Sequence, residues 1–226
     1  MGYKILQGSA KFQMGISQPT QLRSWLQEHK DAIGFAFVGR SNVGKSSLIN
    51  TLFGRNTARV SNTPGRTREI NIFIFNLADE SEQIQEFPPF YIFDLPGYGH
   101  ARISKEMAKN WQELINIFFT ESSSHIGLIN IQDARHPDQK ADQKFHEYLK
   151  NKGFSTTLAF NKIDKLKKQK ERAALNKLKP SLFAAYHWVK QIFFISAETK
   201  NGMPQLHDSL IASLIEEAQK QERANL

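Results

Sequence analysis

The run Gly39-Arg40-Ser41-Asn42-Val43-Gly44-Lys45-Ser46 spells G-x-x-x-x-G-K-S. Glycines at such spacing let backbone N–H groups turn inward around phosphate oxygens. Lys45 is then in reach of the β- and γ-phosphates, and the Ser46 hydroxyl is a ligand for Mg²⁺. Ser47 opens the segment that follows, and a helix N-terminus there adds the positive end of its dipole to the cradle. The flanking sequence agrees, with an apolar run at 33–38 before the loop and a helix-like stretch at 47–53 after it. The implied chemistry is the binding of a nucleoside triphosphate, with the base still unread.

The base reader stands further on, at Asn161-Lys162-Ile163-Asp164, directly after the apolar segment 155–160. The pattern N-K-x-D is the guanine-recognition element of Ras-like GTPases. A carboxylate at Asp164 suits the N1–H and 2-amino donors of guanine, an edge that adenine does not present. A site built to satisfy such donors rejects the wrong base strongly, because a mismatch leaves buried polar groups unpaired. Ile195-Ser196-Ala197 matches the S-A loop whose backbone closes over the guanine. The order of the three motifs fits one domain.

Two candidate switches lie between loop and base reader. Asp94-Leu95-Pro96-Gly97 matches D-x-x-G, in which the Asp holds Mg²⁺ through water and the Gly backbone senses the γ-phosphate. Upstream, 61–69 ends in Gly65-Arg66-Thr67-Arg68-Glu69 and occupies the first switch. Thr67 is the candidate for the second hydroxyl ligand to Mg²⁺, with Thr63 as the rival. The same T-P-G segment also reads as a turn, and a switch loop needs turns too. Lys45, Thr67, Gly97 and Asn42 form the candidate catalytic set. The position after Gly97 holds Tyr98, which lacks the amide that a water-orienting glutamine would supply. Asn42 offers a substitute route, by holding a potassium ion beside the phosphates. Equally, Asn42 suits a tight turn, since Asn tolerates left-handed geometry.

These blocks together resemble the EngB/YihA/YsxC family of bacterial GTPases: G-R-S-N-V-G-K-S-S-L-I-N, T-P-G-R-T, D-L-P-G-Y-G and S-A-E-T-K-N-G. The resemblance covers about residues 18–215. The chain departs from it at Asn161, where the family often carries Thr. The resemblance implies a Ras-like P-loop fold and a GTP/GDP cycle dependent on Mg²⁺. It also implies docking on the rRNA of the large ribosomal subunit during its assembly, and a link to cell division and septation.

The elements that must position these residues alternate. Strands are expected near 33–38, 69–77, 90–94, 126–132, 155–160 and 191–195, and helices near 19–30, 46–53, 104–119, 138–151, 168–186 and 203–218. Alternation of this kind predicts an α/β fold with a mostly parallel six-stranded sheet and helices on both faces. Met107, Trp111, Leu114, Ile115, Phe118 and Phe119 recur at helical spacing and mark a core-facing stripe. Residues 18–218 read as a single G domain, 1–17 as a flexible extension and 219–226 as a tail. In Asp133-Ala134-Arg135-His136-Pro137-Asp138, Pro137 and Asp138 read as a helix-start signal.

Composition narrows the class. Hydrophobic residues make up 40% of 226, enough for one sizeable core. No apolar stretch approaches the roughly 18–20 residues that span a bilayer, and the N-terminus lacks a signal-peptide core. With no cysteine there is neither a disulfide framework nor a thiolate metal site. A cytoplasmic monomer is expected. Thirty basic residues against 22 acidic ones give a net charge of +8. Lys162, Lys165, Lys167, Lys168, Lys170, Arg172, Lys177 and Lys179 are interrupted only by Asp164 and Glu171. Such a run is either a solvated helix face or a surface for nucleic-acid phosphates. No RNP or KH signature supports base-specific reading. Two rivals remain: a GTP-dependent interaction module whose turnover is incidental, and a P-loop kinase, for which no lid or acceptor pocket is visible.

Overall fold

Ile33-Gly34-Phe35-Ala36-Phe37-Val38-Gly39 is apolar without alternation, and all seven residues are buried. A strand of that kind belongs in the middle of a sheet covered on both faces. In the computed structural model it is β3 (Ile33–Gly39), paired in parallel with β6 (Phe90–Asp94) on one side and β7 (Ile126–Asp133) on the other. The structure describes residues 2–58, 69–79, 81, 83, 87–98 and 105–224, with the backbone alone at 105–108.

The main sheet has seven strands in the order β2-β4-β6-β3-β7-β8-β9, with β2 at Lys11–Ile16, β4 at Ile70–Phe75, β8 at Thr156–Asn161 and β9 at Val189–Phe194. Strands β6, β3, β7, β8 and β9 run parallel, while β4 is antiparallel to both β2 and β6. The expected count of six is corrected to seven by β2. Its sequence, Lys-Phe-Gln-Met-Gly-Ile, places Phe12, Met14 and Ile16 at every second position, but it is short and leaves Phe12 59% exposed, as an edge strand permits. Residues 1–17, expected to be a flexible extension, thus contribute two strands. The other, β1 (Tyr3–Ile5), pairs antiparallel with β5 (Leu77–Asp79) in a small second sheet. Ile5 and Ile16 anchor them by burial.

Among the described residues six α-helices cover the sheet. On one face, α2 (Lys45–Phe53) and α6 (Met203–Ala224) pack Leu48, Ile49, Leu52, Leu206 and Leu210 against Phe37, Phe75 and Ile129. On the other, α1 (Pro19–Glu28), α3 (Lys105–Glu121) and α4 (Lys140–Leu149) close over Ala36, Val38, Phe93 and Leu128. Leu114, Ile115, Phe118 and Phe119 of the expected stripe are all buried there. Helix α5 (Gln169–Ala185) buries Leu175 and Leu182 against β8 and β9. Helix α6 runs through most of the segment expected to be a tail, held by buried Leu214 and Ala218. Among the described residues no helix is long and apolar enough to cross a membrane.

Candidate nucleotide site

All four motif loops leave the carboxyl ends of parallel strands, where ligands bind in open α/β sheets. Register brings them level. Phe37 of β3 pairs with Asp94, Gly39 with Ile131, Asp133 with Asn161, and Phe160 with Phe194.

The phosphate loop turns through Asn42 at φ 64 and Gly44 at φ 93 before α2 begins at Lys45. Asn42 therefore has the left-handed geometry of the turn reading, and its side chain is left exposed. A Cβ on Gly44 would strike the side-chain amide of Asn161, so glycine is required there by space as well as by φ. Val43 is buried, Ser41 and Ser46 are half-buried, and Ser47 is exposed on the first turn of α2. Lys45 forms an ion pair with Asp94, whose carboxylate ends β6 and is 4% exposed. Leu95 and Pro96 are buried behind it, and Gly97 packs against the Gly39 carbonyl, which accepts a hydrogen bond from the Tyr98 N–H at 3.2 Å.

At the base-reading end the side chain of Asn161 is a hub. Its Nδ2 donates to the Val43 carbonyl at 3.0 Å, and its Oδ1 accepts from the N–H of Lys162 at 2.8 Å and of Ala197 at 3.0 Å. One amide thus ties together the phosphate loop, N-K-x-D and S-A motifs. Lys162, at φ 69, lies along the loop and donates to the Asn42 carbonyl. Asp164 sits in a short 3-10 turn (Ile163–Lys165), half-buried, accepting from the Ser196 hydroxyl at 2.6 Å. The Ser196 hydroxyl, with Lys165 beyond it, holds the Asp164 carboxyl below its ordinary value, so it is an anion ready for paired donors. The N–H of Ile163 reaches the carbonyl of Ile195 at 3.2 Å and thereby fastens the two loops together.

Gly65, Arg66, Thr67 and Arg68, with the rival Thr63, lie outside the described residues. Glu69 is exposed at the foot of β4, its carboxylate beside Gly15 of β2. The Asp133–Asp138 segment does not start a helix at Pro137: Asp138 takes φ 47 and α4 opens at Lys140, with Gln139 as its N-cap.

That segment also holds residues that the sequence reading left without a role. Asp133 is 6% exposed and pairs with Lys162 at 3.2 Å and Arg135 at 2.6 Å. Burial pushes its carboxyl up, but the Arg135 and Lys162 cations outweigh burial and bring it down to about 2. Asp133 thus orients the lysine of the base reader. Behind the phosphate loop lies a second buried polar group. Asp142, fully buried on α4, accepts from Arg40 and Tyr98, and His146 is fully buried a turn later. Burial raises the Asp142 carboxyl and lowers His146 to about 4, so that the imidazole is neutral at ordinary pH. For Asp133 the signal was D-A-R-H-P-D itself, whose first acid ends the strand preceding α4; Asp142 and His146 lie beyond that motif.

A family model described as a 50S ribosome-binding GTPase matches residues 34–162. The probable GTP-binding protein EngB of Xylella fastidiosa is 35% identical over 199 residues, covering 88% of this chain and 90% of that protein. The EngB of Gemmatimonas aurantiaca is 42% identical over 180 residues, covering 79% and 81%. Among solved structures, Era of Aquifex aeolicus bound to GDP and aluminium fluoride aligns with a TM-score of 0.64 at 22% identity, covering 80% of this chain and 56% of that one. A crystal structure of a probable EngB aligns at 0.57 and 24% identity, covering 81% and 99%. The structural matches speak to the fold. The sequence matches span most of both chains, and on them this chain belongs to the EngB family of GTP-binding, GTP-hydrolysing proteins.

Proposed function

We propose that this GTPase is a cytoplasmic switch for assembly of the large ribosomal subunit, docking on rRNA through the basic surface beside its guanine reader. The observation that carries the reading is the placement of that surface. Lys165, Lys167, Lys168, Lys170 and Arg172 are all exposed, immediately after Asp164 and along the first turn of α5. Of the two acids in the run, Asp164 faces Ser196 and Glu171 caps the Lys168 N–H at 2.9 Å. A cationic face set so close to the nucleotide lets phosphate contacts respond to the nucleotide state. The fold supports this use, since Era has been solved with MgGDPNP and nucleotides 1506–1542 of 16S rRNA.

At the site itself, the backbone of 39–44 and Lys45 hold the phosphates, and Asp164 with Ser196 and Ala197 holds the guanine. Ser46 opens α2 and Asp94 ends β6, so one hydroxyl and one carboxylate approach from neighbouring loops. That donor set fits Mg²⁺, which keeps several waters and takes its other ligands from phosphate oxygens. Among the described residues no cluster of three acids or histidines offers an all-protein cage instead. When bound, Mg²⁺ neutralises charge between the β- and γ-phosphates. Ser46 and Thr67 would be its direct protein ligands, with Asp94 holding it through water. The Gly97 N–H would meet the γ-phosphate, and the Asn42 side chain would hold K⁺. A role in septation rests on the family resemblance and is no part of this proposal.

Pelleting with ribosomal subunits tests the reading. More protein should travel with the large subunit in GTP than in GDP. Reversing Lys167, Lys168 and Lys170 to Glu should leave GTP affinity within about threefold, and flatten the log–log salt dependence of association by roughly 0.7–0.9 per lost phosphate contact. An unchanged sedimentation profile at low and moderate salt returns the cluster to a solvated helix face.

A further inference from the structure

Tyr98 stands where a water-orienting side chain would be expected, yet it is 6% exposed and aimed away from the phosphate loop's mouth into α4. Its hydroxyl donates to Asp142 Oδ1 at 2.8 Å and accepts from Asn130 Nδ2 at 3.0 Å, while its ring stacks on Phe145 with centroids 4.5 Å apart. Arg40, directly after Gly39, converges on the same carboxylate. Its Nε lies 2.9–3.0 Å from the two Asp142 oxygens, and its other nitrogens donate to Gln139 Oε1 at 2.6 Å and the His136 carbonyl at 2.8 Å. The remaining capacity of Asp142 is filled by the Gln139 N–H at 2.9 Å. Asn130 is fixed in turn by Gln132, whose Oε1 accepts from the Asp138 N–H at 2.8 Å. The backbones of Arg40 and Tyr98 form a bridge of their own. Two loops that must both meet the terminal phosphate therefore share one buried anchor outside the nucleotide site.

From this we infer that Asp142 is a positioning residue for GTP hydrolysis, acting through Tyr98 and Arg40 to set the Gly97 N–H against the γ-phosphate. The inference rests on the proposed role of Gly97. A fully buried carboxylate with every acceptor direction taken has one low-energy geometry, and a half-satisfied version of it is costly. Loosening either arm frees residue 98 and the preceding Gly97 to shift by a fraction of an ångström. Small misplacements of that kind cost rate much more than affinity. The tie also explains how hydrolysis proceeds with Tyr at this position: the ring serves as a tether and leaves the attacking water to other groups.

The test is single-turnover hydrolysis with GTP and GDP affinities in full-length Tyr98→Phe, Asp142→Asn, their double variant and Gly97→Ala. Tyr98→Phe keeps the ring on Phe145 and removes only the hydroxyl. It should lower kcat roughly tenfold while KM and GDP affinity stay within about twofold, a split that mere loss of stability does not produce. Asp142→Asn should match or exceed it, and the double variant should be no worse than the weaker single. Wild-type kcat in Tyr98→Phe with a slow Gly97→Ala overturns the positioning role alone. A Gly97→Ala enzyme as fast as wild type overturns the Gly97 reading and this inference together. Loss in Tyr98→Phe with none in Asp142→Asn makes the tyrosine itself a catalytic group and overturns the tether. Should Asp142→Asn fail to fold, Tyr98→Phe still decides.

Discussion

The base-reading and phosphate-reading ends of the site are built differently. At the base end the protein completes its own hydrogen bonds: Asn161 satisfies three loops at once, and Asp164 is already held by Ser196. At the phosphate end Lys45, proposed to hold the phosphates, is paired with Asp94, proposed to hold Mg²⁺ through water. One end is preorganised, whereas the other must exchange an internal ion pair for ligand contacts. Specificity can therefore be paid for during folding, while switching draws on nucleotide binding itself.

Breaking the preorganised end should give the largest effect. Asp164→Asn retains an oxygen for the Ser196 hydroxyl, so the loop should hold its shape while the carboxylate is lost. A site built to pair with substrate donors rejects a mismatched partner by about 10⁴-fold. GTP affinity measured by competition should accordingly fall by about 10³-fold or more. Xanthosine triphosphate, whose 2-oxo group accepts from an amide, should gain affinity. Equal competition by ATP and GTP in the wild type would remove the base-reading assignment altogether.

The phosphate end should break in a nucleotide-dependent way. Ser46→Ala removes a proposed Mg²⁺ ligand in both states, and loss of one strong polar contact to a charged group is worth roughly tenfold to hundredfold. That loss should vanish when affinities are compared without Mg²⁺. Thr67→Ala should leave GDP binding alone and weaken only the Mg²⁺-GTP form. If Thr67→Ala weakens both nucleotides equally, the switch ligand passes to Thr63.

This division follows what was legible in the sequence. The loops carry their chemistry in contiguous letters, so Gly39–Ser46, Asp94–Gly97 and Asn161–Asp164 were readable and fell at the strand ends expected of them. Strands β1 and β2 were missed. Lys11–Ile16 carries apolar residues at every second position, but over six residues with one buried anchor, an exposed phenylalanine and an irregular register against β4 that pattern is too short to mark a strand by itself. Asp142 was hidden for a different reason. In Lys140-Ala-Asp-Gln-Lys it reads as a surface acid of an amphipathic helix, and only the fold reveals that it is fully buried between Arg40 and Tyr98. A network assembled from residues 40, 98, 130 and 142 leaves no local trace.

The smallest expected effect sharpens the comparison at the loop itself. Asn42 belongs to both ends, since its carbonyl receives the Lys162 ammonium while the residue sits exposed in the phosphate loop. Its φ of 64 satisfies the turn reading, because Asn is among the few residues that enter this region readily. On the potassium reading, the side-chain amide would hold an ion beside the phosphates that stabilises charge developing on the β–γ bridge. A fully preorganised donor in such a position is worth about 10²–10³ in rate, and an ion held by an exposed side chain should supply less, about tenfold. Turnover in potassium should exceed that in sodium by this factor in the wild type and be equal in Asn42→Ala. Since Ala enters left-handed geometry less readily, Asn42→Gly serves as the control: it keeps the turn and should lose the potassium response just as completely. Equal turnover in both salts for the wild type would confine Asn42 to the turn and leave charge stabilisation to a group supplied by the ribosome.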